Sequence, residues 1–308
     1  MFDGVSIIYR IARLSILTSE METGMTRTIL ITGTSSGYGK AIAEHFLDLG
    51  WNVLATMRRP VPDLFPASDR LKVLQLDVTD ADSIARAIAD GVAAFGAIDV
   101  LVNNAGIGMA SVVEATPDSI IREIFETNSF GVFATCRAII PHMRRQGHGV
   151  IVNVTSSTAI GVMPLVAIYA ASKCAVEGFT ESLSYELEPF GIRARLVEPG
   201  YGPTTNFTAN GGARMQGLIP EGYGAFAQSC FQKMASYPTA YCTEAEVAQA
   251  VFAAATAEGE EIRYPAGPDT RLLAELRWTT SEPHYLEKMR EMFRPNFSTP
   301  SLAEGRAL

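Results

Sequence analysis

The chain is poor in the residues that build metal centres and disulfide frameworks. Its four cysteines, Cys136, Cys174, Cys230 and Cys242, form no C-x-x-C pair. Thiols so scattered suit buried apolar roles in a reducing compartment, so a cytoplasmic location is expected and zinc or disulfide scaffolds are set aside. His45, His142, His148 and His284 show no H-E-x-x-H or other ligand spacing, read as structural or exposed, and give no reason to expect a metal. Positive charge is also short: 25 Lys and Arg face 33 Asp and Glu, a formal net charge of −8. A general nucleic-acid binder needs a basic surface to displace counterions, so that class is excluded. No uninterrupted apolar run approaches the ~18 residues of a membrane span. No internal repeat is present, and no linker precedes the last strand.

What is there is a core-forming composition. Over 308 residues the apolar share is 47% and the charged share 19%, which excludes a disordered or fibrous chain. Residues 1–25 stand apart as an N-terminal extension. Ile7, Ile8, Ile11, Leu14 and Leu17 recur near helical spacing with Arg10 and Arg13 between them, the pattern of an interfacial amphipathic helix. A poorly ordered extension or an upstream start, with Met21 or Met25 as the true first residue, is the favoured reading, so membrane contact through residues 1–20 is not expected. Residues 26–308 are expected to form one domain.

From Thr28 onward, β-rich runs alternate with helical ones. The strand candidates are TILIT, NVLAT, KVLQLDV, DVLVNNA, GVIVNVTS, RARLVEP and EIRYPAG. Several are nearly continuous apolar runs, as parallel strands covered on both faces require. Thr116-Pro117 reads as an N-cap with proline at the first helical position, and Thr243 with Glu246 as a capping box. The proline-rich connection RPVPDLFPASDR leaves room for only a short helix. Repeated β–α–β alternation predicts an α/β fold: a doubly wound, Rossmann-type, mostly parallel seven-stranded sheet with helices on both faces. Residues 200–242 are rich in glycine and aromatics and lack periodicity, which fits a segment covering a substrate. The tail, DTRLLAELRW and HYLEKMREMF, reads as one or two amphipathic helices.

Gly33, Gly37 and Gly39 fall between the first strand and the first helix in the spacing G-x-x-x-G-x-G. A tight turn, close backbone approach and helix–strand packing are what a pyrophosphate site demands of glycine, and the helix N-terminus adds free N–H groups and partial positive charge. An NAD site would place a carboxylate at the end of the second strand to hold the ribose 2′-hydroxyl. Here that strand runs into Met57, Arg58 and Arg59. A carboxylate would repel a 2′-phosphate and an arginine attracts one, so NADP (NADPH) is favoured and NAD is the lesser expectation. The fifth strand ends in VTSS and Tyr169 follows thirteen residues after Ser156. Both fall on the carboxyl rim of the sheet, where open α/β sheets bind ligands, and one helical turn brings Lys173 to the face of Tyr169. A nearby ammonium has the sign needed to lower a phenol's pKa. Asp99 reads as a strand-start residue, and Met109 and Phe133 as core or pocket wall.

The ordered set TGTSSGYG, LDVTD, NNAG, ETNSFG, NVTSS, YAASK and EPGYGPT, from Thr28 to about Gly267, resembles the classical short-chain dehydrogenase/reductase family. ATMRRP and RYPAGPDTRLLAELR look most similar to its hydroxysteroid and retinol dehydrogenase branch. The resemblance implies Tyr169 as acid/base, Lys173 as its electrostatic partner and ribose ligand, Ser156 as donor to the substrate oxygen and Asn128 as holder of a relay water. Ser157 beside Ser156 leaves an ambiguity that the thirteen-residue step resolves toward Ser156. Also implied are a cofactor lined by Gly33, Thr34, Ser35, Ser36, Gly37, Tyr38, Gly39, Arg58, Asp77, Val78, Asn103, Ala105, Gly106, Tyr169, Lys173, Pro199, Gly200 and Thr204, and a homodimer or homotetramer. The expected activity is NADP(H)-dependent interconversion of a lipophilic alcohol and its ketone or aldehyde. Two rivals stand beside it: a non-catalytic NADP(H)-binding regulator, which has no need of four catalytic side chains together, and a nucleotide-sugar epimerase, which would carry a separate substrate domain.

Overall fold

The computed structural model describes residues 26–203, 205, 215–237 and 240–295. All seven strands form where expected: β1 (Thr28–Thr32), β2 (Asn52–Met57), β3 (Leu71–Gln75), β4 (Val100–Asn103), β5 (Gly149–Val154), β6 (Ile192–Pro199) and β7 (Arg263–Ala266). They make one sheet in the order β3-β2-β1-β4-β5-β6-β7, parallel at every pairing. The winding reverses between β1 and β4, and the crevice at that switch opens at the strands' carboxyl ends.

Ten helices are described among these residues: α1 (Gly37–Asp48), α2 (Ala81–Phe95), α3 (Asp118–Phe125), α4 (Gly131–Gln146), α5 (Ser157–Ile160), α6 (Ala167–Leu187), α7 (Gly224–Ala235), α8 (Glu244–Thr256), α9 (Pro268–Thr279) and α10 (Glu282–Phe293). Alternation along the strands sorts the core into two faces. Ile29, Ile31, Val53 and Ala55 meet Ile42, Ala43 and Phe46 of α1 and Val247 and Val251 of α8. Leu30, Leu54, Leu101 and Ile151 meet Ile84 of α2, Cys136 and Ile139 of α4 and Val176 of α6. The two tail helices are separate. They close a third cluster in which Leu273, Tyr285, Met289 and Phe293 pack on Ile160 of α5.

Local chemistry explains most boundaries. Thr243 and Glu246 cap α8 reciprocally, as their spacing predicts. The expected cap at Thr116 is displaced by one residue. Pro117 holds the extended cap conformation and α3 begins at Asp118, because the Thr116 hydroxyl is used to close the preceding turn on the Val112 carbonyl (2.8 Å). The β2–β3 connection holds no helix at all; prolines at 60, 62 and 66 remove the donors a turn of helix needs. Asp99 is a strand-start residue, its Oδ2 accepting the Thr28 N–H (2.7 Å). His148 pairs with it (3.0 Å), and among the described residues no cluster of His, Cys, Asp or Glu is arranged for a metal. No helix among them is long and apolar enough to cross a membrane. The amphipathic pattern of residues 1–20 lies outside the described residues.

Candidate active site

The β1–α1 turn is shaped by backbone crowding. Gly33 has φ +74°, and a Cβ there would stand 2.8 Å from the Ala105 Cα. A Cβ on Gly39 would stand 2.2 Å from the Gly33 carbonyl oxygen. The turn can therefore fold back on itself and on the end of β4 only without side chains. The N-cap of α1, Ser36, makes no side-chain capping bond, so the first-turn N–H groups of α1 face the crevice uncapped by it. These features fit the pyrophosphate of a dinucleotide.

A cavity of about 1280 Å³ runs along the carboxyl edge from this turn to the helices beyond β6. At one end it is lined by Gly33, Ser35, Ser36, Gly37, Tyr38 and Gly39, with Arg58, Asp77 and Val78 beside them. Arg58 is exposed at the end of β2. The Asp77 carboxylate is engaged by Thr79, whose N–H and hydroxyl donate to Oδ1 (3.0 and 2.8 Å). In the middle lie Ala105, Gly106, Ser156, Tyr169, Lys173, Pro199 and Gly200.

Two residues expected on the wall are elsewhere. Thr34 is fully buried and its hydroxyl donates back to the Thr56 carbonyl (3.1 Å). Asn103, the last residue of β4, is buried, donating to Asn153 (2.8 Å) and accepting from Thr135 (2.6 Å). Strand alternation decides this: of the two asparagines in NNAG, Asn104 is the one on the cavity, and its Nδ2 donates to the carbonyls of Thr32 and Gly33 (2.9 and 3.1 Å). Asn128 is also fully buried, one layer behind the wall. Thr204 lies outside the described residues.

Asn128 sits in a π-helical turn, Glu126–Phe130, between α3 and α4. The wide turn directs its amide onto the chain after β4. Oδ1 accepts the Ile107 N–H (2.8 Å), and Nδ2 donates to the Ile107 carbonyl (2.9 Å) and to Ser172 (3.1 Å). A Cβ on Gly106 would lie 3.3 Å from Asn128 Oδ1 and 3.4 Å from Lys173 Nζ, so the absent side chain lets those two groups converge.

Ser156 caps the short helix α5, its Oγ accepting the Thr158 N–H (3.2 Å). The same serine makes a hydrogen bond that favours the ionised form of the Tyr169 phenol. Leu165, at φ +64°, turns the chain into α6. Its carbonyl accepts the Ser111 N–H (2.7 Å), which fixes a backbone shape leucine rarely adopts. Tyr169 follows in the first turn of α6, packed against Met109, Ile124, Val166 and Leu218. Burial raises its phenol to about 12, opposed only by the Ser156 hydrogen bond. No lowering by Lys173 accompanies these two effects; the Lys173 ammonium donates to the Val154 carbonyl (3.0 Å). Burial lowers Lys173 to about 8, against the upward pull of Glu177.

The far end of the cavity is apolar and sulfur-rich: Met109, Met163, Met215, Phe231, Met234 and Tyr237. Met109 is pocket wall, as expected. Phe133 is half-buried against the core, tilted on Phe179 at 4.3 Å between ring centroids. Two cavity features had no sequence signal. Asp269 is buried under Gly200, its Oδ2 accepting the Tyr201 N–H (2.9 Å). The Tyr38 hydroxyl donates across the crevice to the Gly200 carbonyl (3.1 Å).

Residues 27–214 match the short chain dehydrogenase family, and the chain belongs to it. A 3-ketodihydrosphingosine reductase from Bacteroides thetaiotaomicron is 38% identical over 59% of this chain and 66% of its own length. The uncharacterized oxidoreductase YusZ of Bacillus subtilis is 36% identical over 79% of this chain and 90% of its own. Human retinol dehydrogenase 8 is 38% identical over 56% of this chain and 58% of its own. Among solved structures, a short-chain dehydrogenase from Streptomyces avermitilis superposes with a TM-score of 0.66 at 30% identity, covering 86% of this chain and 94% of that one. Some solved neighbours carry NADP and others NADH. The protein is thus a short-chain oxidoreductase acting on CH–OH groups of small substrates, on an α/β Rossmann-like fold.

Proposed function

We propose that this oxidoreductase is NADP(H)-dependent and interconverts a lipophilic alcohol with its ketone or aldehyde through Tyr169, Ser156, Lys173 and Asn128. The observation that carries the reading is the meeting of Ser156 and Tyr169 on the wall of one cavity, with an uncapped helix N-terminus at one end and an apolar chamber at the other. The glycine turn and the α1 N-terminus would hold the pyrophosphate, Arg58 the 2′-phosphate, and Lys173 the ribose next to the nicotinamide. A nicotinamide bound there supplies or accepts the hydride.

The chain's own residues handle the proton. A phenol held protonated by burial is the donor that a developing alkoxide needs, and Ser156 adds a second hydrogen bond to the same oxygen. In the opposite direction the same pair would take the hydroxyl proton. Lys173 supplies positive charge beside the phenol, and Asn128 holds the Ile107 backbone that fronts it. NADP is favoured over NAD because β2 runs into Arg58 where an NAD site has a carboxylate; a charge-assisted hydrogen bond there is worth about 1.5–3 kcal/mol. The methionine-rich chamber suits an apolar, pliable substrate, since thioether side chains adapt to irregular shapes. Met215, Phe231 and Met234 belong to the segment 200–242, which we assign to covering that substrate.

The test is a panel of lipophilic ketones, aldehydes and alcohols assayed with NADPH and NADH in parallel. Turnover with NADPH, lost about 10²–10⁴-fold in Tyr169→Phe, is expected. Turnover that survives Tyr169→Phe unchanged would overturn the assignment.

A further inference from the structure

Behind Lys173, on the side away from the cavity's apolar chamber, lies a group of charges that the hydride-transfer chemistry does not itself require. Glu177 is one turn beyond Lys173 on α6 and is buried. The Thr155 hydroxyl donates to its Oε1 (2.5 Å). The guanidinium of Arg263, from β7, donates to Glu177 Oε2 and to Oε1 of Glu198 on β6, and reaches outward to Glu181 (2.7 Å). Trp278 of α9 stacks on that guanidinium, 5.0 Å from ring centroid to Cζ. Glu198 is fully buried and its Oε2 has no hydrogen-bond partner among the described residues. Three carboxyl groups thus share one arginine, an arrangement with an excess of negative charge beside a buried lysine.

Lys173 needs that excess. Its ammonium is almost fully buried, and the hydrogen bond recorded for it runs to a neutral carbonyl, that of Val154. A buried ammonium with no counter-charge gives up its proton. Among the described residues, the other groups near it are Tyr169 and Ser172 on α6, Asn128 from the π turn, and Thr155 and Ser156 after β5, none of them an anion. Cys174 is on the outer side of α6, where Arg277 of α9 and Arg263 of β7 act on its thiol. Among the described residues, Glu177 is the one charge that acts on Lys173 to hold its proton.

We propose that Glu177, clamped between Thr155 and the Arg263–Glu198 pair, is an electrostatic positioning residue of the active site: it keeps the buried Lys173 ammonium charged and so sets the alkaline limit of turnover. The proposal rests on the reading that Lys173 and Tyr169 carry the proton transfer. Glu177 touches neither substrate nor cofactor in it. Thr155 fixes the carboxylate's orientation, and Arg263 pairs with its outer oxygen.

The chain has five lysines, Lys40, Lys72, Lys173, Lys233 and Lys288, so Lys173 can be followed alone by NMR on protein labelled at the lysine ε-carbon, its signal assigned by loss in Lys173→Arg. In the unaltered protein its midpoint is expected near 8. Glu177→Gln keeps the shape and loses the charge, and should move that midpoint down by roughly one pH unit or more. Losing Glu177 also frees Glu198 to ionise, so Glu177→Gln with Glu198→Gln gives the full shift. The alkaline limb of kcat/KM should move with it. Glu177→Asp should restore both, and Glu186→Gln, an exposed charge on the same helix, should leave both in place. A midpoint for Lys173 below neutrality in the unaltered protein overturns the proposal, whatever the variants do. So does a midpoint unmoved in both the single and the double variant, or a rate lowered equally at every pH. Because the lysine titration needs no turnover, it is independent of the Tyr169→Phe result on which the reaction itself stands.

Discussion

A side chain at position 39 has nowhere to go. Its Cβ would meet the Gly33 carbonyl oxygen at 2.2 Å and the Asn104 amide at 2.4 Å, both part of the turn that shapes the cofactor end. Gly39→Ala should therefore destabilise by about 1–3 kcal/mol, the usual cost of overpacking, and weaken NADPH binding at the same time; chemical denaturation and a fluorescence titration read the two. Glu198 poses the opposite problem, a carboxyl group with too little outside it. Burial, then the Glu177 charge, push it up to about 8 from its ordinary 4.5, with Arg263 pulling down. The fold therefore holds a proton that the unfolded chain releases between those values. The stability this contributes is full below 4.5 and is lost as pH rises through about 8. Glu198→Gln cannot titrate, so in urea denaturation the native protein should lose ground to the variant between pH 5 and 8.5. A constant gap across that range would mean that Glu198 is already ionised in the fold.

Among the elements, the π turn at Glu126–Phe130 has the largest consequence for its length. Asn128 satisfies both backbone groups of Ile107 with one amide. Asn128→Ala would leave a part-buried N–H and a part-buried carbonyl of Ile107 without their partner, each worth up to about 1–3 kcal/mol, so a thermal melt should drop even before activity is assayed. Asn128→Asp keeps the acceptor and loses the donor, and should fall between the two. The sequence made Asn128 conspicuous but not its turn, because an i to i+5 ladder leaves no periodic mark in five residues. The strands were legible for the converse reason: apolar runs largely buried on both faces, as in β1, β2, β4, β5 and β6, have few other uses. Thr34 and Asn103 show where motif reading stops. A motif names consecutive residues, but alternate strand positions face opposite ways, and only the pairing of β1 with β4 reveals that Asn104 takes the cavity and Asn103 the core. Arg263 and Asp269 were not legible at all. Each acts on residues more than sixty positions away, Glu177 and Tyr201, through side-chain contacts that no spacing encodes.

At the scale of the whole molecule, the cavity spans contributions from both halves of the sheet, so filling it should stabilise the fold as a unit. The glycine turn on β1 is tied to the loop after β6 by the Tyr38 hydroxyl, and the Pro199–Gly200 loop is in turn held from below by Asp269. A ligand that binds only the assembled crevice raises stability by RT ln(1 + [L]/Kd), about 2.7 kcal/mol at a hundredfold excess over Kd. For a chain of this size roughly 2–4 °C accompanies each kcal/mol, so NADPH at that excess should raise Tm by roughly 5–10 °C. If Arg58 holds the 2′-phosphate with a ten- to hundredfold preference, NADH at the same concentration contributes only about 0.4–1.4 kcal/mol, or roughly 1–5 °C. Arg58→Ala should bring the NADPH shift down to the NADH value and leave the NADH shift alone. Tyr169→Phe should leave both in place, because the lost hydroxyl serves proton transfer. Equal shifts for the two cofactors in the native protein would remove Arg58 from the site, and would assign the exposed guanidinium to solvent.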